Sequence, residues 1–347
     1  MKRLIAPVLR TLIVTAVLLS LIGSLLGCST TVSPVTTIVT GPATTVTVTP
    51  TQTVGVPATT VTVTPTQTAV APSITTVTVS PTQTTTPKPV NPQLILATTT
   101  STRDTGLLDV LIPMFQNQTG YQVKTVAVGS GAAIAMGQQG QADVLLVHMP
   151  DSELQLVQSG AGINRVLIMH NDFVIVGPAS DPAGIKGMTD PVAAMKKIAM
   201  TQSLFVSRDD NSGTNGYELS LWAQLGNTYK GQNWYISTGQ GMGATLIIAS
   251  EKNGYTISDR GTYAAFQKSI ASVLMVQNPA VMINPYHVIQ VNPAKFSGIN
   301  AAGAQAFSDF MVAPATQAVI GSYGLVTYGQ ALFIPDAGKT EASLGSK

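Results

Sequence analysis

The sequence predicts an α/β fold carried on an extended, low-complexity stalk. Three observations predict it. Strand-like and helix-like segments alternate from Leu94 onward, and hydroxyls and glycines gather where those strands lead into helices. Ahead of them, from Ser29 to Asn91, lies a Thr/Val/Pro tract with Lys88 as its only charge.

The N-terminal segment predicts the compartment. Met1-Lys2-Arg3 and Arg10 form a basic stretch, followed by an uncharged apolar run from Thr11 to Leu26. That run is short for a membrane span and has the build of a secretory signal. It ends in Leu25-Leu26-Gly27-Cys28, which resembles a bacterial lipobox, so residues 1–27 are expected to be cleaved and Cys28 to carry a lipid. The alternative is an uncleaved anchor helix with an incidental cysteine. Cys28 is the only cysteine in the chain, so no intrachain disulfide forms. The expected location is the cell membrane, facing the periplasm or exterior.

The formal charge of +2 comes from 18 basic and 16 acidic residues. Three of the basic residues, Lys2, Arg3 and Arg10, lie in the expected signal, so the mature chain is close to neutral. Neither nucleic-acid binding nor a polybasic membrane patch is supported by that balance. Anion binding, if present, must use local donors.

Residues 28–91 form the expected stalk. Ala43 to Thr53 reads ATTVTVTPTQT, Ala58 to Thr68 repeats it, and Ile74 to Thr84 is a looser copy, ITTVTVSPTQT. The alternating Thr and Val favour strands, but the tract lacks large side chains for a core. Next to an anchor, such a tract reads as a disordered, extended stalk, with O-glycosylation one option and a small β module the alternative.

The elements of the remaining chain follow in order. Leu94 to Ala97 is a short apolar strand, and Asp104 to Gln118 carries Leu107, Leu108, Leu111, Met114 and Phe115 at roughly helical spacing. Tyr121 to Val128 is strand-like, Ser130 to Met136 helical, Asp143 to Val147 a buried strand and Asp151 to Gln158 a helix. This alternation predicts a parallel sheet covered on both faces, with ligands beyond the carboxyl ends of its strands.

Three strand-to-helix turns there suit an anion. Thr98-Thr99-Thr100-Ser101-Thr102 offers five consecutive hydroxyls, where ordinary N-capping needs one. Gly129-Ser130-Gly131 has the pattern of a backbone anion nest. Arg208-Asp209-Asp210-Asn211-Ser212-Gly213-Thr214 combines a guanidinium with hydroxyl and backbone donors at a helix start. A bland reading pairs Arg208 with Asp209 or Asp210 and leaves Ser212 as a cap. Thr238 to Thr245, rich in glycine, is a fourth stretch that adds backbone donors or simply forms a turn.

Enzyme signatures are sparse. His148, His170 and His287 are scattered, which favours packed or surface roles over metal ligation. The sequence carries no phosphate loop with Gly-Lys-Ser/Thr, no nucleophile elbow and no catalytic cysteine. Asp209 and Asp210 with Asp259 remain a metal-site alternative, and Ser130 or the same two acids a phosphate-ester hydrolase alternative. The expectation is a binding protein with no cofactor and no metal.

Seven segments taken together resemble the tungstate-binding components of bacterial tungstate ABC transporters, and more distantly phosphate- and molybdate-binding proteins. They are Ala97–Ser101, Ala127–Gly131, Ala142–His148, Phe205–Thr214, Thr238–Gly243, Ser258–Tyr263 and Asn284–His287. The resemblance implies a two-lobed periplasmic-binding-protein fold of type II, with two crossovers. Lobe I would comprise 93–176 plus 286–347 and lobe II 177–285, with hinge strands at Phe173–Gly177 and Pro285–Val291. It implies a monomer that holds tungstate or molybdate between the lobes for an ABC permease and its ATPase. Thr99, Thr100, Ser101 and Ser130 would grip the anion from one side, and Arg208, Ser212, Gly213 and Thr214 from the other. The family usually has Gly after this Arg, whereas Asp209 stands here, which puts the loop's backbone in question. The first hydroxyl segment and the Ser130 turn contain no acid, which suits a fully deprotonated anion. An inward-facing Asp209 or Asp210 would favour protonated phosphate instead.

Overall fold

The structure is a computed structural model that describes Thr60–Val63, Thr75–Thr78 and residues 89–344. The expected signal peptide and Cys28 lie outside the described residues. The chain divides into two compact units, Met1–Thr84 and Thr85–Lys347.

In the first unit, β1 (Thr60–Val63) and β2 (Thr75–Thr78) pair antiparallel, with Val61 opposite Val77. They come from successive copies of the repeat, so the alternating Thr and Val do form strands there.

The second unit begins with the predicted rhythm. β3 (Gln93–Thr99) leads into the short α1 (Thr100–Asp104) and then α2 (Leu107–Thr119). β4 (Gln122–Val128), α3 (Ser130–Gln138), β5 (Val144–Val147) and α4 (Pro150–Gln158) follow. Next come β6 (Gly162–Gly177), α5 (Pro191–Thr201), β7 (Phe205–Ser207), α6 (Gly213–Gln224) and β8 (Tyr235–Ser237). The chain continues through α7 (Met242–Glu251), β9 (Thr256–Asp259), α8 (Arg260–Phe266), β10 (Val273–Gln277) and β11 (Ile283–Val291). It closes with α9 (Ala301–Val312), α10 (Pro314–Ser322), α11 (Leu325–Tyr328) and β12 (Ile334–Pro335).

The sheet departs from the parallel arrangement expected. Its order is β10-β6-β11-β5-β3-β4, with β9 and β12 also on β6. Only β4-β3-β5 is parallel, and every strand on β6 or β11 runs antiparallel to it. The physical reason is β6, a 16-residue strand. Its first part pairs with β11 up to Asp172, and its last part, from Phe173, pairs with β9 and β10. One strand therefore serves two halves of the molecule. β11 returns alongside it, with Asn284 opposite Asn171 and the Phe173 N–H donating to the Met282 carbonyl at 2.7 Å. The passages between halves are thus Asn171–Phe173 and Met282–Asn284. The stretches expected as hinge strands lie just beyond them, Phe173–Gly177 on β9 and β10 and Pro285–Val291 on β5 and β6.

Strand alternation sorts the core. Leu96, Val144, Leu146 and Val288 join Phe115, Phe307 and Phe333 on one sheet face, while Ala97, Leu145, Val147 and Ile289 join Ile134 and Leu156 on the other. Side chains of period two, buried on both faces, are what a helix-covered sheet requires. Beyond the passages the pattern repeats with new partners. Phe173 and Ile175 pack with Trp222 and Tyr255, whereas Val174 and Val176 pack with Met242 and Leu246. The fold is the two-lobed α/β architecture expected.

Candidate functional site

The predicted anion segments meet where the two halves face each other. Gly131 N–H donates to the Asn211 carbonyl at 3.0 Å, and Arg208 Nη2 donates to Thr100 Oγ1 at 3.3 Å. Two glycines make the approach feasible. A Cβ on Gly213 would fall 2.3 Å from the His148 carbonyl oxygen, and one on Gly131 would fall 2.6 Å from that of Asn211. The glycine-rich stretch also arrives, with Gly241 against the Thr100 side chain.

Local chemistry explains each wall. Ser130 opens α3 and Gly213 opens α6, so both helix starts present unpaired backbone N–H groups. Ser212 is the N-cap of α6, its Oγ accepting from the Asn215 N–H at 3.2 Å. Thr99 caps α1 by accepting from the Thr102 N–H. Ser212 and Thr99 therefore serve as caps.

Six of the expected site residues have almost wholly buried polar side chains: Thr99, Ser101, Ser130, Arg208, Ser212 and Thr214. Among the described residues, Ser130 Oγ, Arg208 Nε and Thr214 Oγ1 are buried polar atoms without a hydrogen-bond partner. Each can donate, and a buried unsatisfied donor costs about 1–3 kcal/mol. All three belong to the segments singled out in the sequence.

Arg208 is only 2% exposed. Its Nη2 donates to Asp210 Oδ2 at 2.6 Å, while Asp210 Oδ1 accepts from the Ser212 N–H. Asp210 thus neutralises Arg208 and closes its own loop, and Asp209 is exposed. The paired reading of Arg208 holds, yet its Nε is left over. Asp209 has φ +46°, in the left-handed region that glycine favours and Asp tolerates better than most residues. The loop backbone accepts Asp where the family usually has Gly. These acids do not converge with Asp259, which accepts from the Thr262 N–H and hydroxyl as the N-cap of α8.

The first hydroxyl segment is used differently from its appearance in sequence. Thr98 Oγ1 donates to the Leu146 carbonyl at 2.8 Å. Thr99 Oγ1 lies 3.0 Å from Ser101 Oγ and 2.7 Å from Thr102 Oγ1. Only the Thr100 side chain reaches toward Arg208.

Two buried titratable groups close to these segments were not singled out in the sequence. His148 is buried at the carboxyl end of β5, 3.2 Å from Ser101 and 2.8 Å from Asn284, and its ring stacks on Tyr286. Burial, and secondarily Arg208, lowers its pKa to about 4, against the Asn284 bond, Glu153 and Asp210, which raise it. Its position at a buried strand's carboxyl end was the available signal. Glu218, on α6, is buried beside Ser207, the residue before Arg208. It accepts from Ser207 Oγ, Trp222 Nε1 and Tyr235 OH, and burial raises its pKa to about 7. The other histidines pack against carboxylates, His170 against Asp336 and His287 against Glu153.

A profile of the PBP superfamily domain matches residues 57–315. The tungstate-binding protein TupA of Peptoclostridium acidaminophilum is 47% identical over 248 residues, 71% of this chain and 86% of that protein. A putative ABC transporter anion-binding protein of Haloferax volcanii is 46% identical over 250 residues, 71% of this chain and 72% of that one. Among solved structures, the tungstate-binding protein TupA from Desulfovibrio alaskensis G20 is 47% identical. It covers 71% of this chain and 99% of its own, with a TM-score of 0.61.

Proposed function

The chain belongs to the PBP superfamily, and from that premise we propose that it captures a tetrahedral oxyanion, tungstate or molybdate, and delivers it to an ABC importer. One observation carries the reading. Among the described residues, Ser130 Oγ, Arg208 Nε and Thr214 Oγ1 are buried donors without a partner, and their segments touch through Gly131–Asn211 and Arg208–Thr100. Tungstate and molybdate carry no proton at neutral pH, so a site of donors suits them. The relatives named for tungstate and anion binding point the same way.

In this reading the lobes close by a hinge motion about Asn171–Phe173 and Met282–Asn284, so that Phe173–Val176, which the resemblance gave to lobe I, fall with lobe II on β9 and β10. Ser130 and Thr100 meet the anion from lobe I. Arg208, Thr214 and the Gly213 backbone meet it from lobe II. Closure replaces the anion's water with fixed donors and presents the closed face to the permease. The protein binds and releases, and makes or breaks no bond. Cleavage after residue 27 and lipidation of Cys28 would tether it outside the cytoplasm as a monomer. Labelling with radioactive palmitate, present in the wild type and lost in Cys28→Ala, is the expected result.

Phosphate is the second reading, favoured by Asp210, whose Oδ2 lies 3.6 Å from where a Gly129 Cβ would stand. That carboxylate could accept a proton from a protonated oxyanion. Isothermal titration with tungstate, molybdate, sulfate and phosphate separates the two. Tungstate and molybdate are expected to bind tightest, and binding of phosphate alone overturns the assignment while leaving the receptor class.

A further inference from the structure

The hydroxyls of Thr99, Ser101 and Thr102 do not stand free. They begin a buried chain of hydrogen bonds that runs through His148, both passages between the lobes, and into lobe II. Ser101 Oγ lies 3.2 Å from His148 Nε2, and His148 Nδ1 lies 2.8 Å from Asn284 Oδ1. Asn284 Nδ2 donates to Asn171 Oδ1 at 2.8 Å, and Asn171 Nδ2 to Asp259 Oδ1 at 3.4 Å.

The direction of this chain follows from its far end. Asp259 Oδ1 already accepts the Thr262 N–H at 2.8 Å, so it is an acceptor whether or not the other oxygen carries a proton. It therefore faces the Asn171 amide nitrogen, which turns the Asn171 oxygen toward Asn284. Asn284 in turn spends its nitrogen on Asn171 and the Tyr286 hydroxyl, leaving its oxygen for His148. An oxygen acceptor requires a proton on His148 Nδ1. The neutral ring then has a bare Nε2, and the hydroxyl within its reach is that of Ser101. With the Ser101 hydroxyl donating to His148, the Ser101 oxygen accepts from Thr99 at 3.0 Å, and Thr99 accepts from Thr102 at 2.7 Å.

We propose that His148 is a positioning residue of the anion site: its Nε2 accepts the hydrogen bond donated by the Ser101 hydroxyl, so that Ser101 braces the Thr99–Thr102 turn and does not donate to the anion. The inference rests on the oxyanion reading above and departs from the grip on the anion that the resemblance implied for Thr99 and Ser101. Thr100 is then the one side-chain donor this turn offers the cleft. The surroundings of the ring keep the arrangement in place. Tyr286 of β11 stacks on it at 4.6 Å, Gly213 of lobe II seats on the His148 backbone, and burial opposes a second proton. The charged groups facing it are Arg208 and Asp210 from the β7–α6 loop and Glu153 from α4.

Nitrogen-15 spectra of the imidazoles in the purified full chain test this without ligand. At pH 7 His148 is expected to show a protonated Nδ1 and a bare, hydrogen-bonded Nε2. In Ser101→Ala the Nε2 signal moves to its unbonded position while Nδ1 stays put. By titration with tungstate, Ser101→Ala is expected to stay within about twofold of the wild type, whereas Ser130→Ala loses about tenfold. A proton on Nε2, or a loss in Ser101→Ala matching that in Ser130→Ala, overturns the inference alone. A wild type that binds no oxyanion overturns the proposed function, and the positioning role with it.

Discussion

The two walls of the cleft offer hydroxyls in opposite ways. On the lobe I side, Thr98 to Thr102 is a run of five hydroxyl residues, yet four of them hydrogen-bond to neighbours on their own side, and Thr100 accepts from Arg208. On the lobe II side, the loop from Arg208 to Thr214 holds fewer candidates, and two of its buried donors have no partner among the described residues. Ser130, a single hydroxyl between glycines, resembles the second wall in this respect. A count of hydroxyls in a sequence is therefore a poor count of donors. What matters is whether a neighbour within reach has already taken the proton.

The sharpest way to break the comparison is through the lobe II wall. Gly213→Ala would place a methyl group 2.3 Å from the His148 carbonyl oxygen, a backbone atom that yields little. Tungstate affinity is expected to fall at least about 100-fold, roughly 3 kcal/mol, with Tm close to that of the wild type because the clash arises on closure. Arg208→Gln removes the buried charge and its unpaired Nε. A charge-assisted bond of about 1.5–3 kcal/mol corresponds to a loss of roughly 10- to 100-fold in the same titration. Unchanged affinity would return Arg208 to a purely structural pair with Asp210.

The buried acid behind that wall sharpens the comparison through pH. Glu218 has a folded-state pKa of about 7 against an ordinary 4.5, raised chiefly by burial. The folded state therefore holds a proton that the unfolded state has lost between those values, and stability falls as pH rises from 4.5 to 7. The decline is expected to be on the order of 3 kcal/mol at most, and Glu218→Gln should flatten it in denaturant titrations. A slope unchanged in that variant would show that Glu218 is ionised in the fold. The smallest effect is expected from Asp210→Asn. Releasing Arg208 from its 2.6 Å ion pair should raise affinity for a dianion a few-fold, about 0.5–1 kcal/mol, and lower that for phosphate. Weaker tungstate binding would make Asp210 chiefly a brace for the loop, through its bond to Ser212.

Much of this was legible in the residues. The order of strands and helices from Gln93 to Gln158 follows apolar periodicity, and the helix starts at Ser130 and Gly213 follow from a glycine or hydroxyl just ahead of them. Arg208, Ser130 and Thr214 were legible as candidate anion donors because the pattern of strand, tight turn and helix is local. The antiparallel half of the sheet was not legible, because nothing in β6 itself reveals that its two ends pair with different partners. His148 was not legible as part of the site, since its partner Asn284 lies 136 residues away. Glu218 was not legible either, because burial among Ser207, Trp222 and Tyr235 is what raises its pKa.

The sequence by itself determined the α/β class, the segments that end in donor-rich turns and the residue types available there. Each depends on spacing within a few residues, where backbone geometry leaves little choice. The tertiary structure decided which donors remain for a ligand. Burial, direction of hydrogen bonds and ion pairing depend on groups brought together from distant parts of the chain, as Arg208 and Thr100 are across 108 residues. The proton on a hydroxyl goes to the best acceptor within about 3 Å, and only the folded chain determines which acceptor that is.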